Sequence, residues 1–202
     1  DNNIRKTIKD ILSLGLELDV LVVNDGSTDN TEKNAKEAKA DVLSLPFNLG
    51  IGGAVQAGIK FAFKENYDFA LQVDGDGQHD VNYIELIIKS LVDGKADMVI
   101  GSRFLPPYSE YRSSFLRRVG IHFFSKLISF MANAKVTDPT SGFRGINKKL
   151  IKVFASYYPH DFPEPEAIVV AKRYNAKIIE VPVKMYKRIE GNSSIRYSKT
   201  LY

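Results

Sequence analysis

An apolar run that ends in two carboxylates constrains this chain more than any other feature. Residues 69–73 are mostly apolar, and Asp74 and Asp76 follow them directly. Burying two carboxylates inside a strand is costly, so they are predicted to lie where a strand leaves a sheet, the edge at which open α/β sheets bind ligands. Alternate residues of an extended chain point the same way, so Asp74, Asp76 and Gln78 are predicted to converge on one hard cation. The alternative is a solvated turn that uses Asp and Gly for the backbone alone.

Strand and helix patterns alternate along the first half of the chain. Short apolar runs typical of strands occur at 20–23, 42–45, 69–73 and 97–100, separated by helix patterns such as 3–14 and 81–92. This alternation predicts an α/β fold with a mostly parallel central sheet flanked by helices. We expect one half of the domain at 1–103 and a smaller lobe at 104–202.

Two further stretches place polar groups at the expected sheet edge. Asp25 lies at the carboxyl end of the first predicted strand rather than in the first turn of the next helix, which favours a ligand role over helix capping. Asn48 and Gly50 begin a glycine-rich turn before a helix, where backbone amides are exposed to a phosphate. The alternative for these glycines is close helix packing. Arg103 follows the apolar run at 97–100 and is predicted to reach the same edge.

Composition narrows the classes of partner. The net charge of +4 suits a nucleotide diphosphate, a lipid phosphate or a membrane surface, and is too small to favour nucleic acid. The chain has no cysteine, which excludes disulfides and thiolate zinc sites and fits a reducing compartment. No apolar run reaches the ~18 residues of a membrane span. The amphipathic pattern at 113–133 is predicted to cover the core, with a bilayer surface as the alternative.

Six motifs, in this order, resemble glycosyltransferase family 2 with its GT-A fold: VVNDGSTDNT, NLGIGGAVQAG, QVDGDGQHD, VIGSRF, TDPTSGFR and IIEVPVKM. The most similar branch contains polyprenyl-phosphate sugar synthases and bacterial surface-polysaccharide transferases. The resemblance implies inverting, metal-dependent transfer from a nucleotide-sugar donor (a UDP-, GDP- or dTDP-sugar). The implied acceptor is polyprenyl phosphate or a lipid-linked or cell-surface saccharide. It further implies Mg²⁺ or Mn²⁺ as the bound cation. The implied location is cytoplasmic, peripheral at the inner face of the plasma membrane, and the implied process is cell-envelope polysaccharide biosynthesis.

The resemblance also implies roles for individual residues. Asp25 matches the contact to the base or ribose, and Asp74, Asp76 and Gln78 match the group that holds the metal and the donor diphosphate. Arg103, and Arg117 or Arg118, are expected near phosphate, and Arg188 is the basic residue expected to bind the donor from a loop that closes over it. Of these, Arg188 lies in a basic loop near 187–194 that is similar to a mobile lid. The family's opening strand is absent, so we expect the sequence to be a fragment.

Glu166 matches the acidic position that faces the acceptor. For a hydroxyl acceptor it is the predicted general base, ahead of three other carboxylates: Asp138, Asp161 and Glu164. A lipid phosphate is already anionic, and Glu166 would then be structural or would orient the acceptor. Two rival functions stay open: a sugar nucleotidyltransferase, whose lysine-containing glycine-rich signature is not seen, and a non-catalytic nucleotide-sugar-binding domain.

Overall fold

Helices and strands alternate through the first half of the chain, as the pattern predicts. The computed structural model describes residues 2–108, 125–130 and 134–186. The elements of the first half are α1 (Asn2–Leu12), β1 (Leu21–Asn24), α2 (Thr31–Glu37), β2 (Asp41–Ser44), α3 (Gly50–Lys64), β3 (Phe69–Gln72), a 3₁₀ turn (Val81–Tyr83), α4 (Ile84–Val92) and β4 (Met98–Ser102). The second half adds β5 (Arg144–Asn147), α5 (Lys148–Ser156), α6 (Pro163–Arg173) and β6 (Ile178–Pro182). Residues 125–130, the part of the predicted 113–133 helix that the structure describes in full, are helical.

The described strands form two sheets. β1 and β2 pair in parallel, and a four-stranded sheet has the order β3-β5-β4-β6. β4 and β6 are parallel, whereas β5 runs antiparallel to both of its neighbours. No backbone pairing joins β1 to β3 within the described residues, although α3 packs against both strands. The α/β class is confirmed, and β6, which contains Pro182, is an edge strand of the four-stranded sheet.

The sequence pattern does not predict β5. Residues 144–147 read Arg-Gly-Ile-Asn after a turn-rich loop and show neither an apolar run nor alternation. A Cβ at Gly145 would lie 2.7 Å from Ile87 Cγ2 and 2.9 Å from Leu91 Cδ1, so α4 packs directly on the backbone of β5. Glycine in a strand often marks such a close approach. Side-chain periodicity does not reveal this strand, because one of its two buried faces is bare backbone at Gly145 and the other carries Arg144 and Ile146.

Apolar clusters cover both faces of the four-stranded sheet. On β4, Met98 and Ile100 lie in a cluster with α3, α5 and α6, whereas Val99 lies in a second cluster with α4. Every residue of β4 is buried, which explains why the strand begins with the apolar run Met98-Val99-Ile100. A third, smaller cluster joins α1, β1 and α2 through Ile8, Val22 and Ala35. The fully packed β4 gives a rigid base for the residues that follow it.

Asp97 connects the starts of β4 and β6 with the end of β5. Its Oδ2 accepts a hydrogen bond from the Lys177 N–H at 2.7 Å, and its Oδ1 accepts one from the Asn147 amide at 2.8 Å. Partial burial raises the pKa of Asp97, but these hydrogen bonds and the charge of Lys149 outweigh it and leave the pKa below its ordinary value. A carboxyl with a depressed folded-state pKa stabilises the fold above its unfolded pKa and loses that contribution as pH falls through the folded one.

Asp97→Asn is therefore expected to lower the free energy of unfolding at pH 7 by about 1.5–3 kcal/mol, the range for hydrogen bonds to a charged group. The difference from wild type should shrink as pH falls from ~4, near the unfolded-state pKa, through the lower pKa of the folded carboxyl. Urea unfolding between pH 7 and pH 2 measures this. Asp93→Asn, which removes only an exposed pair with Lys95, is the control. A loss for Asp97→Asn that is the same at every pH would contradict the assignment.

Candidate functional site

The turn after β3 carries the two carboxylates singled out in the sequence. β3 ends at Gln72, and Asp74 leaves the sheet with a side chain that is 47% exposed. Asp76 Oδ1 accepts a hydrogen bond from the Gln78 N–H at 3.0 Å, and Gly77 has a φ of +75°. This short-range hydrogen bond and the left-handed glycine make a tight turn. The two carboxylates are thus held at the carboxyl end of β3, where the sequence predicts them.

His79 packs behind this turn. Its side chain is 1% exposed, and its ring stacks on Phe143 with the centroids 4.7 Å apart. Nδ1 accepts a hydrogen bond from the Asp74 N–H at 3.1 Å, so the proton of the neutral ring is on Nε2. Burial lowers the pKa of His79, although Asp74 and Asp76 act to raise it, and the ring is neutral near pH 7. Nε2 has no hydrogen-bond partner among the described residues and lies 3.6 Å from Asp74 Oδ2.

Arg103 reaches the same region from the end of β4. Its Nε and Nη2 donate to the two oxygens of Asp138, at 2.7 and 2.6 Å, and Asp138 is fully buried. Nη2 of Arg103 also donates to Thr140 Oγ1 at 3.0 Å, and Gly142, two residues further on, lies against Asp74, so the loop joins the ion pair to the β3 turn. A bidentate arginine–carboxylate pair fixes the plane of the guanidinium. Arg103 is therefore oriented by the fold.

Glu180 on β6 anchors the loop that carries Asp138. Its carboxylate accepts hydrogen bonds from the Thr137 N–H and the Asp138 N–H, each at 2.8 Å for the shortest contact. The Thr137 hydroxyl donates to it as well, at 2.8 Å. Burial raises the pKa of the Glu180 carboxyl, against the effect of these donors. Asp138 therefore holds Arg103 in place, and Glu180 on β6 in turn holds Asp138.

The loop 141–144 connects the β3 turn to α6. A Cβ at Gly142 would lie 3.0 Å from Asp74 Oδ1, so the loop backbone rests against that carboxylate. The buried Arg144 donates hydrogen bonds to the Ser141 carbonyl and, at 2.8 Å, to the Glu164 carbonyl. Glu164 lies in the first turn of α6 with Glu166, which is half-buried. Glu166, the predicted base, thus lies on a helix that Arg144 contacts through the Glu164 carbonyl, and Arg144 follows two residues after Gly142, which lies against Asp74.

The segment after β6 also lies on the β3 turn. The Tyr186 N–H donates to the Gln78 carbonyl at 2.8 Å, and the Gln78 side-chain amide donates to the Tyr186 carbonyl at 3.3 Å. The Tyr186 hydroxyl donates to Asp80 Oδ2 at 2.9 Å, and His79 pairs with Met185 in an antiparallel bridge. The amide nitrogen of Gln78 therefore faces Tyr186, and the chain leaves the described region from beside the predicted metal turn.

A second group of predicted residues gathers at the ends of β1 and β2. The Leu49 N–H donates to Asp25 Oδ1 at 2.6 Å, and the Asn48 amide donates to the Asp25 carbonyl at 3.1 Å. Asn48 Oδ1 accepts a hydrogen bond from the Gly50 N–H at 3.0 Å, where α3 begins. Gly26 has a φ of +72°, and a Cβ there would lie 3.0 Å from the Asn48 nitrogen. The structure thus brings Asp25, Asn48 and Gly50 together, as expected for residues that follow two neighbouring parallel strands.

Comparison with known proteins identifies the family. The sequence model of the family described as glycosyl transferase family 2 matches residues 1–154. The chain belongs to glycosyltransferase family 2. It is 30% identical to the UDP-N-acetylglucosamine–dolichyl-phosphate N-acetylglucosaminyltransferase of Methanococcus voltae, over 82% of this chain and 73% of that protein. It is 27% identical to the undecaprenyl-phosphate mannosyltransferase of Micrococcus luteus, over 89% of this chain and 76% of that protein.

The solved structures that resemble this member of family 2 confirm the GT-A fold. Glucosyl-3-phosphoglycerate synthase from Mycobacterium tuberculosis, in complex with phosphoglyceric acid, superimposes with a TM-score of 0.70 and 18% identity. The match covers 94% of this chain and 69% of that one. A structure of the same enzyme with Mn²⁺ and UDP-glucose gives a TM-score of 0.66 at 19% identity, over 94% and 67% of the two chains.

The β3 turn of this family 2 chain fits a divalent cation. The described residues contain no group of three or more His, Cys, Asp or Glu side chains arranged to hold a metal. Mg²⁺, however, is commonly held by one or two carboxylates and completed by water and substrate phosphates, which Asp74 and Asp76 suffice to supply. The buried Nε2 of His79 beside Asp74 is an independent sign that this carboxylate is part of a site.

Sequence reasoning did not anticipate two supporting residues. His79 is not among the residues predicted for the site, and its burial depends on Phe143, which lies far along the chain. Asp138 was a secondary candidate base, but its ion pair with Arg103 and its complete burial keep it from an acceptor. Arg117, Arg118 and Arg188, together with the predicted basic loop at 187–194, lie outside the described residues. None of the helices in the described ranges has the length and apolar character of a membrane span.

Proposed function

We propose that this chain catalyses inverting, metal-dependent transfer of a sugar from a nucleotide-sugar donor to a polyprenyl phosphate. The observation that carries the proposal is the placement of Asp74 and Asp76 at the carboxyl end of β3, with Arg103 fixed by the loop that rests against Asp74. Relatives named for transfer to dolichyl phosphate and undecaprenyl phosphate support this acceptor class. A solved relative named with Mn²⁺ and UDP-glucose supports the donor class.

In this proposal Asp74 and Asp76 hold a Mg²⁺ or Mn²⁺ ion together with the donor diphosphate. The bound ion would neutralise the negative charge that develops on the departing nucleoside diphosphate. The oxygen-only donor set of the turn suits either hard cation and does not suit zinc. Gln78, whose amide nitrogen donates to Tyr186, would act from the same turn through its side-chain oxygen.

Arg103 and the loops provide the remaining positioning. The guanidinium of Arg103, held rigid by Asp138, is preorganised to stabilise phosphate charge without reorienting during the reaction. Asp25, Asn48 and Gly50 would contact the nucleoside from the ends of β1 and β2. Arg117 or Arg118 and Arg188 are proposed to complete the phosphate contacts.

The proposed acceptor determines what Glu166 does. An acceptor phosphate oxygen attacks the anomeric carbon as the bond to the diphosphate breaks, and the nucleoside diphosphate leaves with the electron pair. Because that oxygen is already anionic, no proton needs to be removed, and Glu166 would orient the acceptor. If the acceptor were a sugar hydroxyl, Glu166 would take its proton. Its place in the first turn of α6, on the helix that Arg144 ties to the loop beside Asp74, supports either role.

A peripheral position at the inner face of the plasma membrane follows from a lipid acceptor. Three large apolar side chains beside the Asp25 and Asn48 loops are unusually exposed: Phe47 at 64%, Leu49 at 45% and Ile51 at 49%. Exposed apolar side chains that cluster at a binding edge suit contact with lipid. The chain is therefore proposed to work at the membrane surface on a lipid-linked substrate.

A donor panel tests the proposal. UDP-, GDP- and dTDP-sugars are incubated with the protein and Mn²⁺, with and without polyprenyl phosphate, and the released products are identified. We expect nucleoside diphosphate from one donor, dependent on polyprenyl phosphate and abolished by EDTA. Release of pyrophosphate from a nucleoside triphosphate and a sugar phosphate would indicate a nucleotidyltransferase instead. Donor binding without turnover would favour a non-catalytic domain.

A further inference from the structure

Both ring nitrogens of His79 lie close to the same residue, Asp74. Nδ1 accepts a hydrogen bond from the main-chain N–H of Asp74 at 3.1 Å, while Nε2 lies 3.6 Å from Oδ2 of the same aspartate. The first contact fixes the backbone where the carboxylate emerges. The second distance is only slightly longer than a hydrogen bond. His79 is therefore placed to control both the position of Asp74 and the orientation of its carboxylate.

The Nε2 proton of His79 makes no hydrogen bond among the described residues, and Oδ2 of Asp74 lies 3.6 Å from this nitrogen. The side chain is 1% exposed and stacks on Phe143, and Nε2 has no hydrogen-bond partner within the described ranges. A buried N–H without a partner is costly, so its presence needs an explanation. Gly142 limits the movement of Asp74 on another side, since a Cβ there would meet both carboxylate oxygens at 3.0–3.1 Å.

We propose that His79 is a positioning residue that donates its Nε2–H to Asp74 and so orients this carboxylate toward the divalent cation. This inference rests on the proposed function, because it assigns a role within the same cation site. A movement of Asp74 by about 0.5 Å would bring Oδ2 to hydrogen-bond distance. The neutral imidazole then satisfies its buried proton, and the carboxylate keeps its other oxygen for the ion. Hydrogen bonds of this kind to a ligating carboxylate typically change metal affinity 10- to 100-fold.

Two substitutions at position 79 separate positioning from packing. His79→Phe keeps an aromatic ring against Phe143 but removes both contacts to Asp74. His79→Gln places an amide N–H near the former Nε2 and restores the donor. Phe154→Leu, in the apolar cluster of α5 on the opposite face of the sheet, is the control for a loss of core packing alone.

The measurement is the affinity for Mn²⁺ alone, followed by the electron paramagnetic resonance signal of the free ion. We expect His79→Phe to weaken binding about 10- to 100-fold, and His79→Gln to recover most of that loss. Phe154→Leu should lower the unfolding temperature without changing the affinity. Equal affinity in His79→Phe and wild type, or equal weakening in the Phe and Gln variants, would overturn the positioning role.

A separate signal distinguishes failure of this inference from failure of the proposed function. Nitrogen NMR of the histidine rings should show His79 as the Nε2–H tautomer, with its proton moving downfield on addition of Mg²⁺; an Nδ1–H tautomer would overturn the inference. If Asp76→Asn abolishes Mn²⁺ binding while His79→Phe does not, only the inference fails. If the wild-type protein does not bind Mn²⁺ better than Asp76→Asn, the cation site of the proposed function fails, and the inference fails with it.

Discussion

Asp76→Asn is expected to lower Mn²⁺-dependent release of nucleoside diphosphate about 10²- to 10³-fold. The substitution removes one negative charge from the group that would hold the cation against the leaving diphosphate, and losing one such electrostatic contact in a preorganised site typically has this effect. It also spares the fold, because an asparagine Oδ1 can still accept the Gln78 N–H that closes the turn. The rate is measured as nucleotide release from the donor found in the panel.

The matched control for Asp76→Asn is the same change at Asp93. This aspartate follows α4, is paired only at the surface with Lys95 and lies outside the site. Asp93→Asn should retain wild-type turnover, and the unfolding temperature of Asp76→Asn should stay close to that of wild type. Wild-type turnover by Asp76→Asn would remove Asp76 from the proposed metal site. A large fall in the unfolding temperature would attribute the lost turnover to misfolding.

Asp138→Asn is expected to have the largest effect on stability. Its carboxylate is fully buried, and it accepts both hydrogen bonds of the Arg103 fork as well as the Arg103 N–H at 3.1 Å. Removing one partner of a buried ion pair leaves the other charge without compensation, at a cost of about 3–5 kcal/mol. A domain is stable by only ~5–15 kcal/mol, so this is a large share. The free energy of unfolding in urea measures it.

A double substitution distinguishes stability from catalysis at this pair. Arg103→Met with Asp138→Leu replaces both charges by apolar groups of similar volume, a change that is often neutral or stabilising. We expect the double variant to be more stable than Asp138→Asn and yet to turn over donor far more slowly than wild type, because the proposed phosphate contact is lost. Stability of Asp138→Asn within ~0.5 kcal/mol of wild type would contradict the importance of the pair. Wild-type turnover by the double variant would contradict the proposed role of Arg103.

The sequence was informative where a strand ends in polar residues. Apolar runs located β1 to β4 to within a few residues, and Asp25, Asn48 and Asp74 were correctly predicted to follow strand ends. These features are local, because the residues of a strand themselves show whether it is buried. The first polar residue after the strand shows where it leaves the sheet. The family resemblance, confirmed by comparison, covered the same stretches. The catalytic and ligand roles of the site residues stay predictions.

The supporting contacts could not be predicted because they join distant parts of the chain. His79 is buried by Phe143, Arg103 is fixed by Asp138, and that aspartate is held in turn by Glu180. Each partner lies more than thirty residues away in sequence. A turn-rich stretch such as TDPTSGFR shows that a loop exists but not what it touches. β5 was missed for the same reason, since its fit depends on how α4 crosses Gly145.

The division of the described strands into two sheets has a mechanical consequence. Asp25 and Asn48 belong to the β1–β2 unit, whereas Asp74 and Arg103 belong to the four-stranded unit, and side-chain packing rather than a hydrogen-bonded ladder connects the two. Apolar contacts can slide, whereas a ladder must break before it moves. A nucleotide gripped by its base on one unit and by its phosphates on the other would act as a cross-link between them. Substrate would then stiffen the very cleft that receives it.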